Sequence, residues 1–188
     1  MKKLKEILFK VNIDSVYGDT EINVSKITFD SREVENNALF IAISGHNYDG
    51  HDYISQSTKN GASVVVCENL PTNFKESNIV FICVKCSKTA LSIIASNFFD
   101  NPSSKIDLIG ITGTNGKTTI SSLLNNLFNE LKVKSGLIST INIKYGEYTE
   151  NSNNTTPDPI TINSHLSKMI KRKIKVCFIE VSSHGIFQ

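Results

Sequence analysis

The sequence predicts an α/β fold in two parts: a small amino-terminal α/β domain over residues 1–102 and a P-loop-type parallel-sheet domain over residues 103–188. Three features predict it. Short β-branched runs alternate with stretches of helical periodicity, the pattern of β-α-β units. At Asn101-Pro102-Ser103-Ser104, turn formers and a proline separate a helical pattern from a new apolar run. Beyond that boundary, a glycine-rich turn stands between an apolar strand and a helix start. Composition allows two such domains. Of 188 residues, 39% are hydrophobic and 20% charged, enough apolar material for a core and too little charge for a disordered chain.

In the first block, residues 38–43 (ALFIAI), 63–67 (SVVVC) and 79–84 (IVFICV) read as strands. The intervening HDYISQSTKNGA reads as a helix stopped by Gly61. Leu91, Ile94, Ala95 and Phe98 then fall on one helical face and carry the chain to the boundary. The second block opens with IDLIGITGT, a continuous apolar strand of the kind buried on both faces in a parallel sheet. From Lys117, the apolar residues Ile120, Leu123, Leu124, Leu127, Phe128 and Leu131 recur at helix spacing, and SGLIST follows as a strand. A second helix is expected from Pro159, whose fixed φ suits a first turn, to Arg172, leading into strand VCFIEV at 176–181. A doubly wound domain needs more strands than these, so the chain is expected to be the truncated front of a longer protein.

Charge and cysteine usage narrow the function classes. Twenty Lys and Arg against 18 Asp and Glu leave a net charge of +2, so no broad positive field suits nucleic acid and any anion must be held locally. No apolar run approaches a membrane span, and the start MKKLKEILFKVNIDS lacks a signal peptide's apolar core, so a cytoplasmic protein acting as a monomer is expected. Cys67, Cys83 and Cys177 lie in β-branched company, where a reduced cysteine behaves as a small buried hydrophobe. Cys83 and Cys86 form a C-x-x-C with no second pair for zinc, and no following helix is expected to make it a redox motif.

The strongest chemical signal is Gly113-Thr114-Asn115-Gly116-Lys117-Thr118-Thr119. Backbone N–H groups of a glycine turn point inward, a helix N-terminus adds partial positive charge, and the combination suits a phosphate chain such as that of ATP. Lys117 would reach the β and γ phosphates, and the Thr118 hydroxyl is placed to ligate Mg²⁺. The spacing is shorter than a standard P-loop, because Ile111 stands where the first glycine would be. Glu180 ends a strand, so it would reach the same sheet edge and hold Mg²⁺ directly or through water. Taken alone, a strand-end Glu is more often a solvated surface residue. The polar tetrapeptide Ser182-Ser183-His184-Gly185 after a buried strand stands where binding residues concentrate, although a lone histidine such as His184 is commonly structural. It is not a nucleophile elbow. Asn153 to Asp158 is turn-rich and enters a helix, and composition alone makes it a solvent loop with an N-cap.

The ordered strings DSREVENNALFIAISGHNYDGHDYI, GITGTNGKTT, NTTPDP and EVSSHGIFQ together resemble the Mur ligase family of peptidoglycan synthesis, over most of the chain from about Ile27 onward. Folylpolyglutamate synthetases share the loop type but not Asp30-Ser31-Arg32 or the G-H-x-x-D-G-H-x-[FY] pattern from Gly45 to Tyr53. The resemblance implies ATP-dependent amide ligation. The terminal carboxylate of UDP-N-acetylmuramoyl-L-Ala-D-Glu would be activated as an acyl phosphate and attacked by a diamino acid's amine; the choice between meso-diaminopimelate and lysine lies in a domain beyond this sequence, and meso-diaminopimelate is expected on the general prevalence of that enzyme type. It implies that Gly113 to Thr119 bind ATP, that Glu180 with Thr118 holds Mg²⁺, and that Lys117, Glu180 and His184 serve catalysis. It further implies that Asn154, Thr155, Thr156, Ser182 and Gln188 contact the muramoyl-dipeptide, and that Phe29 and Ser31, with His46, Asn47 and Tyr48, line a uridine pocket. The family's carbamylated lysine, a further metal-binding histidine, an arginine two residues past Gln188 and the amino-acid-selecting domain lie beyond this sequence, so the fragment alone is expected to be inactive. Two other readings stay open: a P-loop kinase or NTPase that forms no amide, and a non-catalytic nucleotide-sugar or ATP-binding module.

Overall fold

Uninterrupted apolar runs set the first sheet, since a strand of Val, Ile, Phe and Cys is stable only where both of its faces are covered. The computed structural model describes residues 1–45, 48–72, 74, 78–152 and 154–186. The chain divides into two units, Met1–Phe98 and Phe99–Gln188. In the first, β1 (Lys2–Lys3) pairs antiparallel with β3 (Asn23–Val24), flanking the single turn α1 (Leu4–Ile7). A five-stranded sheet follows in the order β2–β7–β6–β5–β4, from β2 (Ile13–Tyr17), β4 (Lys26–Thr28), β5 (Ala38–Ile41), β6 (Ala62–Cys67) and β7 (Val80–Val84). Strands β4 to β7 are parallel, and β2 runs antiparallel along the outer side of β7. Every residue of β5 and β7 is buried. Phe40, Ile54, Val65, Cys67 and Phe81 form one core cluster, and α3 (Ser87–Phe98) turns Ala90, Leu91, Ile94 and Ala95 inward.

Several local details depart from the sequence reading. The helix expected from residue 51 begins as a 3-10 turn, Gly50–Tyr53, capped by Asp49, and only Ile54–Lys59 is α-helical (α2). Gly61, with φ +110°, ends it as expected, and a Cβ there would lie 2.5 Å from Asn36 Oδ1. Cys67, Cys83 and Cys177 are buried, and burial pushes the thiols of Cys67 and Cys177 up to about 12. The expectation that no helix follows Cys83-x-x-Cys86 is wrong. Helix α3 starts at Ser87, the Cys86 carbonyl accepts from the Ala90 N–H at 3.1 Å, and the Thr89 hydroxyl donates to Cys86 Sγ at 3.4 Å, holding that exposed thiol below its usual range.

In the second unit, β8 (Asp107–Ile111), β12 (Val176–Glu180) and β9 (Ser135–Ile138) lie side by side and parallel, with β12 in the middle. A hairpin unread in the sequence, β10 (Asn142–Tyr145) and β11 (Tyr148–Asn151), continues the sheet antiparallel beyond β9. Gly146, at φ +57°, makes its turn. Helix α5 (Pro159–Lys171) contributes Leu166 and Met169 to a cluster with Ile138, Ile143, Tyr145, Cys177 and Ile179. Leu124 and Phe128 of α4 (Lys117–Glu130) pack with Ile111, Leu137, Val176 and Phe178, the two phenyl rings meeting edge to face at 5.1 Å.

Two expectations about this unit are overturned. Strand β8 is not buried on both faces: it is the edge strand among the described residues, with Leu108 and Ile109 about 40% exposed at 38% and 40%. Only part of the apolar stripe of α4 faces the sheet, through Leu124 and Phe128. Ile120, Leu123, Leu127 and Leu131 are 50–63% exposed, while Ser121 and Asn125 are buried. The helix is turned by its polar contacts: Ser121 reaches Glu180, and Ser135 Oγ donates to Asn125 Oδ1 at 2.9 Å. Among the described residues, no helix is long and apolar enough to cross a membrane. Phe40 is fully buried in the first unit's core, so Phe40→Ala should cost about 3–5 kcal/mol, seen as a lower midpoint in urea unfolding of the chain.

Candidate functional site

Strand β8 delivers the chain to residues 112–116, and two glycines there take conformations that a side chain would strain: Gly113 at φ +143° and Gly116 at φ +79°. Gly116 is the N-cap of α4, its carbonyl accepting from the Ile120 N–H at 2.9 Å. The first-turn amides of a 14-residue helix therefore open onto the loop. Thr114, Asn115 and Thr119 are exposed there, and Lys117 Nζ donates to the Gly113 carbonyl at 2.7 Å. Ile111, in place of the usual first glycine, is buried at the end of β8 and accepts from the Val181 N–H at 2.9 Å. The loop thus starts from a fixed point in the sheet.

Glu180 is the centre of the arrangement. It ends the middle strand β12 with 0% exposure, not as the solvated residue that a strand-end Glu usually is. A buried carboxylate without donors would be costly. Three hydroxyls meet this one: Thr118 Oγ1 at 3.1 Å and Thr140 Oγ1 at 2.8 Å donate to Oε2, and Ser121 Oγ donates at 3.2 Å to Oε1. Sequence reasoning found Thr118 and missed the other two. Ser121 lies one helical turn after Thr118, and Thr140 closely follows β9, so the strand-end logic that selected Glu180 also points to Thr140. One carboxylate with neighbouring hydroxyls is a set of hard oxygen donors that fits Mg²⁺, an ion that completes its shell with waters and phosphate oxygens. Among the described residues, no group of three or more His, Cys, Asp and Glu could hold a metal by side chains alone.

The turn-rich segment before α5 is more than a solvent loop. Asp158 caps α5 as expected, accepting from the Ile160 and Thr161 N–H groups at 2.9 and 3.0 Å. Thr156 ties the segment to the end of β12: its hydroxyl donates to the Glu180 carbonyl at 3.0 Å and accepts from the Ser182 N–H at 3.0 Å. Ser182 Oγ lies 3.3 Å from Thr156 Oγ1 and accepts from the Gly185 N–H at 3.0 Å. A Cβ on Gly185 would come within 2.6 Å of Thr156, so glycine lets α6 (Ser183–Ile186) close on this segment. Asn154 is exposed and Thr155 half-buried beside it. Backbone places His184 in α6, but its side chain lies outside the described residues, as does Gln188.

In the first unit, the expected uridine residues stand after neighbouring parallel strands. Phe29 follows β4 and is 41% exposed, and Tyr48, after β5, is exposed. Ser31 is buried, its Oγ 3.5 Å from Gln56 Oε1 and its carbonyl accepting from Asn60 Nδ2 at 2.9 Å. Arg32 forms a fork on the Asp30 carboxylate, with contacts of 2.6 and 2.9 Å, and holds that carboxyl below its usual range. His46 and Asn47 lie outside the described residues.

Parallel strands whose first helix opens on a glycine loop, with a carboxylate closing the neighbouring strand, form the type of frame found in P-loop-type nucleotide-binding domains. The Mur ligase middle domain matches residues 111–188, and a second profile, described as Mur ligase family, catalytic domain, matches residues 23–102. The chain belongs to the Mur ligase family. It is 45% identical over 186 residues to the UDP-N-acetylmuramoyl-L-alanyl-D-glutamate–2,6-diaminopimelate ligase of Cytophaga hutchinsonii, and 43% identical to that of Bacteroides fragilis, covering 99% of this chain and 38% of each relative. The chain thus spans less than two-fifths of the curated relatives it matches. The fold is that of a solved UDP-N-acetylmuramoyl-L-alanyl-D-glutamate–2,6-diaminopimelate ligase, at 22% identity and a TM-score of 0.75 over 100% of this chain and 37% of that one. It is also that of the Thermotoga maritima MurF ligase in complex with ADP, at 24% identity and a TM-score of 0.59 over 85% and 32%. Thr156→Val keeps the shape of Thr156 but leaves the Ser182 N–H and the Glu180 carbonyl without that partner. It should destabilise the second unit by about 1–3 kcal/mol, measured by urea unfolding.

Proposed function

We propose that this chain is the front part of an ATP-dependent ligase of peptidoglycan precursor synthesis. It would join meso-diaminopimelate to UDP-N-acetylmuramoyl-L-Ala-D-Glu through an acyl phosphate. The observation that carries the reading is the buried Glu180 carboxylate bonded to Thr118, the threonine directly after the loop lysine. Relatives named for that diamino acid, at up to 45% identity along nearly the whole chain, support the choice of substrate.

In this reading, residues 103–188 begin the ATP-binding domain and residues 1–102 bind the UDP end of the substrate. The loop from Gly113 to Thr119 cradles the triphosphate with backbone N–H groups, and Lys117 leaves the Gly113 carbonyl for phosphate oxygens. Thr118 and Glu180 would hold Mg²⁺, which neutralises phosphoryl oxygens as charge develops on them. Thr140 and Ser121 keep the Glu180 carboxylate aimed at Thr118. Asn154, Thr155, Thr156, Ser182 and, outside the described residues, Gln188 would contact the muramoyl-dipeptide, and His184 would serve catalysis with Lys117 and Glu180. Phe29, Ser31 and Tyr48, together with His46 and Asn47, take the uridine. The chemistry asked of these groups is positioning and charge stabilisation.

The test uses the gene product extended to its relatives' length. With ATP, Mg²⁺, UDP-N-acetylmuramoyl-L-Ala-D-Glu and meso-diaminopimelate, it should release phosphate and form the tripeptide, and hydroxylamine should trap the acyl phosphate when the diamino acid is left out. Phosphate release with neither hydroxamate nor amide would make it a kinase or NTPase instead. Within the same protein, Lys117→Ala removes a charge-assisted contact worth about 1.5–3 kcal/mol, so Mg-ATP should bind about 10- to 150-fold more weakly by calorimetry. An unchanged affinity would remove Lys117 from this role.

A further inference from the structure

The motif from Gly45 to Tyr53 contains a histidine that the proposed function does not use. We infer that His51, held by Asp49, is a positioning residue for the loop that carries Tyr48, an inference resting on the proposed binding of the substrate's uridine end by the first unit. His51 Nε2 is 2.9 Å from the backbone nitrogen of Glu68 and 3.4 Å from that of Asn69. Both of these nitrogens are donors, so Nε2 carries a lone pair and the ring proton sits on Nδ1. Nδ1–H then donates to Asp49 Oδ1 at 2.6 Å. The same oxygen accepts from the His51 backbone N–H at 3.0 Å, which closes the side chain over its own turn.

This bond chain spans three adjacent strands. Asp49 lies in the loop after β5, Glu68 directly follows β6, and the Glu68 carboxylate accepts from the N–H and hydroxyl of Ser87, both at 2.8 Å, where the chain leaves β7 for α3. These donors, with the Ser87 N–H foremost, hold the Glu68 carboxyl below its usual range. The base of the loop is closed from within: Gly45 N–H donates to the Tyr48 carbonyl at 2.9 Å and Gly50 N–H to the Ile43 carbonyl at 2.9 Å. A Cβ on Gly50 would lie 2.5 Å from the Ile43 nitrogen, so the loop returns against the strand end only with glycine there. These bonds tie Gly45 to Tyr48 and Gly50 to the end of β5, and among the described residues His51 is the side chain that joins this segment to the end of β6. Tyr48 is exposed, and beside the Gly45 bond to its carbonyl its place rests on the attachment that Asp49 and His51 make one and three residues on.

The experiment measures uridine 5′-diphosphate binding to the 188-residue chain by NMR, together with the ring ¹⁵N shifts of His51. The unliganded chain should show the Nδ1–H tautomer, the minor form of free histidine. His51→Phe should weaken UDP binding by about 10-fold or more, and His51→Gln, whose amide oxygen can accept from the Glu68 N–H, should recover most of it. Asp49→Ala, a change at a half-exposed carboxylate that keeps the chain foldable if His51→Phe does not fold, should move the ring toward the Nε2–H form and weaken UDP binding several-fold. An Nε2–H signature in the unsubstituted chain, or UDP binding within twofold in both the Phe and Ala variants, overturns the positioning role alone. No UDP binding by the unsubstituted chain overturns the uridine assignment, and the positioning role with it.

Discussion

The second unit is organised around one buried negative charge. Glu180 sits at the end of the central strand with no exposed surface, and its carboxylate is tolerable there because three hydroxyls are directed at it. Each donor comes from a different place: Thr118 from the first turn of α4, Ser121 from the next turn, and Thr140 from the connection after β9. To satisfy the charge, the helix, the loop before it and two strand ends must come together. The phosphate-type loop is therefore a product of how the sheet edge is assembled.

That requirement brings polar side chains of α4 to the sheet. Here the polar side chains Thr118, Ser121 and Asn125 take the inward face, with Leu124 and Phe128 beside them, and four large apolar residues are left outside.

The first unit uses the same edge of its sheet in another way. No buried acid stands at its centre. Its carboxyl edge is tied instead by side chains that bridge consecutive crossovers, Asp49 to His51 to the backbone of Glu68, and Glu68 to Ser87. In both units the strand ends supply fixed backbone, and short polar bridges set the loops, the arrangement in which α/β sheets place ligands. Thr156 does this for the segment before α5, where one hydroxyl serves a carbonyl and an N–H two residues apart on the next strand end.

Much of this was legible in the residues. Apolar runs marked β5, β6, β7 and β12, Pro159 and Asp158 marked the start of α5, and the glycines and Lys117 marked the loop, because each signal depends on neighbours within a few positions. The start of the chain, from β1 to β4, and the hairpin β10–β11 were not legible. Their strands are two to five residues long and mixed in polarity, so they are stable only against partners distant in sequence. The sequence determined that the glycine loop and Lys117 would fall between a strand and a helix. Only the tertiary structure decided that Glu180 would be buried and that Ser121 and Thr140 would join Thr118 on it. Burial and strand order depend on which elements pack side by side, and a carboxylate's surroundings are assembled from segments up to 62 residues apart.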